Sequence, residues 1–269
     1  METKNEGINS KNILLKKHTK EEITKMLWEL HKKHCLFYLP KAYQEKTFLD
    51  LEGYTMYSIV EKLKEWDTKN PLICAILSNQ NGIGKTHLAV SLVKEIYYNK
   101  IKAMEDENYE IYLKRYPIFY NMKEWDENPE LHNTNNIENP YNVELPQYNT
   151  SFELKFNFLP EWKLLLEYRK CMNFKSEISE EDFIEKYANL DLLVIDDVFS
   201  TKEGNFEFSR SILLTILDER STYKMKPTIL TSNLTLKEIA DIETRIASRI
   251  DNKMLIQIDS KMEDYRGRL

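Results

Sequence analysis

The chain has 269 residues, 42% of them hydrophobic and 30% charged, enough apolar material for one large or two small cored domains and too much for a disordered chain. A net charge of −6 argues against indiscriminate nucleic-acid binding by the whole surface, though not against a local basic strip. Three distant cysteines, Cys35, Cys74 and Cys171, form no CxxC pair, which excludes a disulfide framework or a cysteine-rich zinc site.

In chain order, the stretch from Met1 to Lys41 carries nine lysines against five glutamates, a basic head on an acidic protein. No apolar run reaches membrane-spanning length, and the opening METKNEGINSKNILLKKHTK has no apolar signal block, so a cytoplasmic protein with no membrane association is expected. HTKEEITKMLWELHKKH places Thr19 and Glu22 at capping-box spacing, and Ile23, Met26, Leu27 and Leu30 follow at helical intervals. That apolar stripe needs a partner, either the body of the protein or another protein.

After the linker CLFYLPKAYQEKTFLDLEG, TMYSIVEKLKEW reads as a helix and PLICAIL as a short buried strand. The strand runs into SNQNGIGKTHLA and then the helical THLAVSLVKEIYY. Residues 101–151 read as an insertion. Ten acidic residues stand against three basic ones between Met104 and Tyr148, periodicity is weak, and YEIYLKRYPIFY is expected to pack locally.

Beyond the insertion, FELKFNF alternates like a strand, LPEWKLLLEYRKCM is helical, and Ser179 caps EEDFIEKYA. LDLLVIDD is an apolar strand ending in Asp196 and Asp197; the helix SRSILLTILDERS and the strand PTILTSN follow. Strands alternating with helices predict an α/β fold with a mostly parallel sheet.

A triphosphate site needs backbone amides around the phosphates, a mobile cation and a magnesium ligand. Asn81, Gly82, Ile83, Gly84, Lys85, Thr86 and His87 supply all three at a helix N-terminus. The first glycine of the usual G-x-x-x-x-G-K-[ST] spacing is replaced by Asn79. Asparagine visits the left-handed region at modest cost, so it is expected to take glycine's conformation here.

LLVIDD would bring its carboxylates to the C-terminal edge of the sheet beside this loop. Asp196 is expected to hold Mg2+ and Asp197 to orient or deprotonate an attacking water. Aspartate is one methylene shorter than the glutamate usual for the second acid, which predicts slow turnover. Asn233, at the tip of PTILTSN, is placed to meet the γ-phosphate or the water. Arg245 and Arg249 lie four apart on one predicted helical face; arginine beside a transferring phosphoryl group stabilises transition-state charge.

Together, NGIGKTHLAVSLV, LDLLVIDDV, ILDERSTYKMKPTILTSNLTLKEI, RIASRI and DYRGR resemble the AAA+ ATPases of the bacterial helicase-loader and transposition-helper group, the DnaC/IstB-like family, over about residues 39–269 apart from the insertion. The resemblance implies a P-loop NTPase fold, a three-layer αβα core behind a short helical region at 1–38. It implies that Lys85 and Thr86 act as Walker A, Asp196 and Asp197 as Walker B, and Asn233 as sensor 1. Arg249 would be the finger acting on ATP in a neighbouring subunit, and Arg266 the sensor 2 residue; Arg245 and Arg220 match less closely.

The cofactors implied are ATP/ADP and Mg2+. The partners implied are single-stranded DNA, a replicative ring helicase or a transposase or initiator protein, and further copies of the chain sharing the ATP site. Asn79, the long insertion and the short N-terminal region depart from the family pattern. The expected activity is ATP hydrolysis, slow and stimulated by oligomerisation or DNA, in a DnaC-type loader. Alternatives are a nucleotide-gated scaffold or IstB-like helper with little turnover, and a small-molecule phosphotransferase, which the paired aspartates and TSN strand disfavour.

Overall fold

Five strands, β1 (Ile73–Leu77), β2 (Phe156–Pro160), β3 (Leu192–Val198), β4 (Thr228–Ser232) and β5 (Leu255–Gln257), form one sheet in the order β2-β3-β4-β1-β5. Every neighbouring pair is parallel. This computed structural model describes residues 18–51, 54–129, 140–142, 144, 146–148, 154–172, 178–200, 206–250 and 254–258. The helices are α1 (Lys20–Phe37), α2 (Tyr54–Lys64), α3 (Lys85–Lys102), α4 (Glu105–Glu127), α5 (Glu161–Cys171), α6 (Glu180–Ala188), α7 (Phe206–Asp218), α8 (Leu236–Ile242) and α9 (Thr244–Ala247). None of the described helices is long and apolar enough to cross a membrane.

The chain divides into two compact units, 1–33 with 98–153 and 34–97 with 154–269. The second holds the sheet. Every residue of β1 and β4 is buried, as expected of parallel strands covered on both faces, which is why they read as unbroken apolar runs. On one face Ile73, Ala75 and Leu77 join Leu193, Ile195 and Leu230 in a core closed by residues of α5 to α8 such as Leu164, Tyr187, Leu217 and Ile239. On the other, Phe156 of β2 meets Tyr97 of α3 edge-on, with ring centroids 6.4 Å apart. The result is a three-layer αβα arrangement.

Local chemistry starts the helices where the residues indicated. The Ser179 and Thr235 side chains accept from the amides of Asp182 and Glu238, whose carboxylates reciprocate, each box contributing about 0.5–2 kcal/mol. β5, unmarked in the sequence, adds a three-residue edge beside β1.

In the other unit, the Thr19 hydroxyl and Glu22 carboxylate form the expected box at the start of α1. Of the α1 stripe, Ile23 and Leu27 are buried, whereas Met26 and Leu30 are exposed, so only half of it is covered. The insertion holds more order than its composition suggested: α4 runs 23 residues through Pro117, which removes one backbone donor from the helix interior. The Arg115 guanidinium lies 4.5 Å from the Tyr148 ring centroid and donates to the Pro146 carbonyl at 3.2 Å; Lys20 pairs with Asp106.

Candidate nucleotide site

β1 delivers the chain to Ser78 and α3 begins at Lys85, so the six intervening residues turn through a tight loop whose amides lie at a helix N-terminus. Gly82 and Gly84 take φ of +80° and +91°, the region that favours glycine. Asn79 is not among the residues with positive φ, which corrects the expectation that it stands in for glycine by adopting a left-handed conformation. The loop turns on Gly82 and Gly84 instead, and an ordinary residue suffices at Asn79.

Lys85 is largely buried and folds back over the loop, its Nζ donating to the Gln80 carbonyl at 2.7 Å and the Ser78 carbonyl at 3.4 Å. Asn81 is exposed. Ile83 is fully buried, so its side chain serves the core and not a ligand. The His87 imidazole is turned onto the linker, with Nε2 2.7 Å from the Thr47 carbonyl; burial, the strongest influence on it, holds its pKa below the usual histidine range. Leu51 of the same linker and Met56 of α2 would lie 3.5 and 3.9 Å from a Cβ added at Gly84, ordinary contacts.

The acids of β3 stand opposite this loop. β3 pairs with β4 in register to Ile195↔Leu230 and resumes at Val198↔Ser232, so Asp196 and Asp197 together face the single residue Thr231. This is a β-bulge, a device that re-aims side chains. Asp197 completes it at φ +61°, followed by Phe199 at +59°. In a regular strand consecutive carboxylates would point to opposite faces; the bulge breaks that alternation.

The Thr231 hydroxyl joins both acids, accepting from the Asp197 amide at 2.8 Å and donating to Asp196 Oδ1 at 2.6 Å. Thr86 Oγ1 lies 3.1 Å from each Asp196 oxygen. Burial raises the Asp196 pKa above the ordinary aspartate value; Thr231 and Thr86 draw it back down, the Asp197 charge adds to the rise, and Lys85 opposes it. The Asn233 amide donates to Asp197 Oδ1, so the side chain expected at the γ-phosphate or water is engaged by the second acid.

Thr231 and Glu161 escaped the sequence reading as site residues. Thr231 was visible only as a polar residue at a strand tip. Glu161, the first residue of α5, is fully buried and accepts from the Phe199 amide at 2.9 Å, a position that nothing in LPEWKLLL announces.

The arginines part company. Arg249 pairs with Asp218 at the end of α7 and donates to the Arg245 carbonyl; it engages neither the loop nor the two acids of its own chain. The helix expected to carry both arginines spans only Thr244–Ala247, leaving Arg249 in the turn beyond it. Arg220 is fully buried and donates to the carbonyls of Tyr187, Ala188 and Leu190 and to the Thr228 hydroxyl. These groups lie before β3 and at the start of β4, the opposite edge of the sheet from Asp196, which removes Arg220 from the site. Arg266 lies outside the described residues.

The cluster can cradle an anion on the loop amides and Lys85 and offer oxygen ligands to a cation. Among the described residues no group of three or more His, Cys, Asp or Glu is placed to hold a metal unaided. Thr86 and Asp196 fit a magnesium ion that takes its other ligands from water and phosphate.

No family model and no curated protein matches the chain. Solved structures similar to it include the DnaC helicase loader, at 15% identity and TM-score 0.47 over 82% of this chain and 99% of that one. Domain III of the Thermotoga maritima replication initiation protein DnaA is similar at 18% identity and TM-score 0.48, over 86% and 71%. AMPPCP-bound DnaA from Aquifex aeolicus is similar at 16% identity and TM-score 0.47, over 84% of this chain and 52% of that one.

Proposed function

We propose that the chain is a magnesium-dependent AAA+ ATPase of the helicase-loader kind, binding ATP on the Ser78–Thr86 loop and hydrolysing it slowly in an assembly of several copies. The observation that carries this is the clustering of Asp196, Asp197, Thr231 and Asn233 around one strand bulge, with Thr86 bonded to Asp196 from the head of α3 just after a glycine-turned loop.

In this reading the loop amides and Lys85 bind the β- and γ-phosphates, with Lys85 exchanging its own loop carbonyls for phosphate oxygens. Thr86 and Asp196 hold magnesium, which supplies charge neutralisation on the phosphate oxygens. A buried carboxylate whose pKa is raised by desolvation is stabilised by a cation at this position. Asp197 accepts the proton of the attacking water, and Asn233 fixes the carboxylate that does so. Arg249 contributes its guanidinium to the γ-phosphate held by a neighbouring copy. Single-stranded DNA and a ring helicase are the proposed partners, and 1–38 is the proposed docking segment, preceding an ATPase domain at 39–269 with an insertion at about 101–151.

ATP binding with and without magnesium, followed by turnover across protein concentration with and without single-stranded DNA, tests this. Lys85→Ala is expected to abolish binding, and turnover per chain is expected to rise with concentration. The short Asp197 arm and its bond to Asn233 also suit a nucleotide-gated scaffold; magnesium-dependent binding without turnover under any of these conditions would favour the scaffold over the loader cycle.

A further inference from the structure

We infer that Glu161 is a positioning residue for hydrolysis: it holds the left-handed tip of β3 and thereby aims Asp197. This rests on the ATPase function proposed above. Two non-glycine residues within three positions, Asp197 and Phe199, carry positive φ. Each costs about 1–2 kcal/mol relative to the right-handed region and persists only where the surroundings impose it.

The surroundings are on hand residue by residue. Asp197 donates its amide to Thr231, Val198 accepts at its carbonyl from the Ser232 hydroxyl at 2.7 Å, and Phe199 donates its amide to Glu161. β4 therefore secures the near side of the tip. Glu161, from the head of α5, secures the far side and takes the Ser209 hydroxyl of α7 on its other oxygen.

Val198 and Phe199 are themselves buried in the core, so packing and hydrogen bonds hold this segment together. A small apolar cavity lies against Val198 and Phe199, lined also by Leu213, Leu217, Ile246 and Ile250, so among the described residues the far side of the tip offers its amides no polar partner besides Glu161 and its neighbours. Burial of the Glu161 carboxyl is itself unfavourable and pushes its pKa up, the nearby Asp197 charge in the same direction. An uncompensated carboxylate would not be retained there; the Phe199 amide and the Ser209 hydroxyl are its compensation. Glu161 touches no reacting atom and acts through the backbone that carries Asp197.

Glu161→Gln, Glu161→Ala and Ser209→Ala proteins, all full length, separate this from a general structural role. Glutamine preserves an acceptor for the Phe199 amide and can donate to Ser209, so turnover within about threefold of wild type is expected. Alanine removes both, and kcat is expected to fall on the order of 10²-fold, as misplacement of a reacting group does, with the Kd for ATP unchanged within twofold. Ser209→Ala, which spares the Phe199 bond, should stay near wild type.

Equal loss of ATP binding and turnover in the alanine protein, or wild-type kcat in it, overturns the proposal. Should alanine fail to fold, Glu161→Asp withdraws the carboxylate by one methylene. A lowered kcat at unchanged Kd supports the positioning role, and unchanged kcat overturns it. A wild-type protein that binds magnesium ATP yet never hydrolyses it would instead remove the ATPase function and this role together, an outcome distinct from active wild type with unimpaired variants.

Discussion

Arg249 and Asp218 form an ion pair within one chain, and Asp218 offers its other oxygen to Arg245 at 3.4 Å. The guanidinium proposed to act on a neighbour's ATP is thus neutralised at home. Both side chains of the Arg249 pair are about a quarter exposed, where such pairs contribute about 0–1 kcal/mol, small enough for a phosphate to compete. Asp218→Asn is expected to lower the protein concentration at half-maximal turnover several-fold while changing unfolding free energy by less than about 1 kcal/mol. A shift to higher concentration would show that Asp218 props the arginine in its working position. Arg249→Ala should keep ATP binding and lose turnover by about 10³-fold or more.

Arg220 is predicted to matter for folding and not for nucleotide. Burial pushes its pKa down to about 9, with Asp191 opposing the fall, and its donors close the loops that lead into β3 and β4. Arg220→Ala leaves several buried carbonyls without donors and opens a cavity, so a loss of about 3–5 kcal/mol is expected in urea unfolding. At low temperature, the fraction still folded should bind ATP with wild-type affinity. A tenfold weaker affinity would return Arg220 to the site.

The contrast between these arginines marks where the sequence stopped being informative. RIASRI and ILDERS each present arginine near a strand motif, and only tertiary burial separates Arg220 from Arg249. The doubly covered strands were legible because burial on both faces writes itself as ICAIL and LLVI, and the helix starts were legible because Ser179 and Thr235 act locally. α4 escaped detection because its apolar residues define no single face and only Asn108 and Tyr112 are buried. The bulge at Asp196 and Asp197 leaves no composition signal either, since it arises from pairing with β4.

Asp196 should make the ligand-free protein less stable as pH rises. Burial, the largest influence, lifts its folded-state pKa above 3.8, so between those two values the folded chain binds more protons than the unfolded one. Stability then falls as pH climbs through that window and is level above it; Glu161, whose pKa burial also raises, acts in the same sense. Asp196→Asn removes the contribution of Asp196. Urea unfolding without magnesium, from about pH 4 to pH 7, should show the variant gaining on wild type as pH rises. Parallel curves would mean that Asp196 is not desolvated. Magnesium with ATP should stabilise wild type more than the variant, by mass action.

Asn79 and Gly84 are predicted to respond in opposite ways to exchange. Asn79 keeps an ordinary φ, so Asn79→Gly restores the usual loop spacing without relieving backbone strain. It should leave the Kd for magnesium ATP within about threefold of wild type, the added freedom of the unfolded chain costing at most about 1 kcal/mol of stability. Gly84 stands at φ +91°. An alanine Cβ there would meet Leu51 and Met56 at 3.5 and 3.9 Å, ordinary contact distances, so its penalty is conformational and not steric. About 1–2 kcal/mol of strain falls on the loop that must wrap the phosphates, and ATP affinity should drop about tenfold or more while the sheet stays intact by far-UV circular dichroism. If Asn79→Gly tightened binding tenfold while Gly84→Ala did nothing, the loop would have to rearrange on binding, with its turning point moved to position 79.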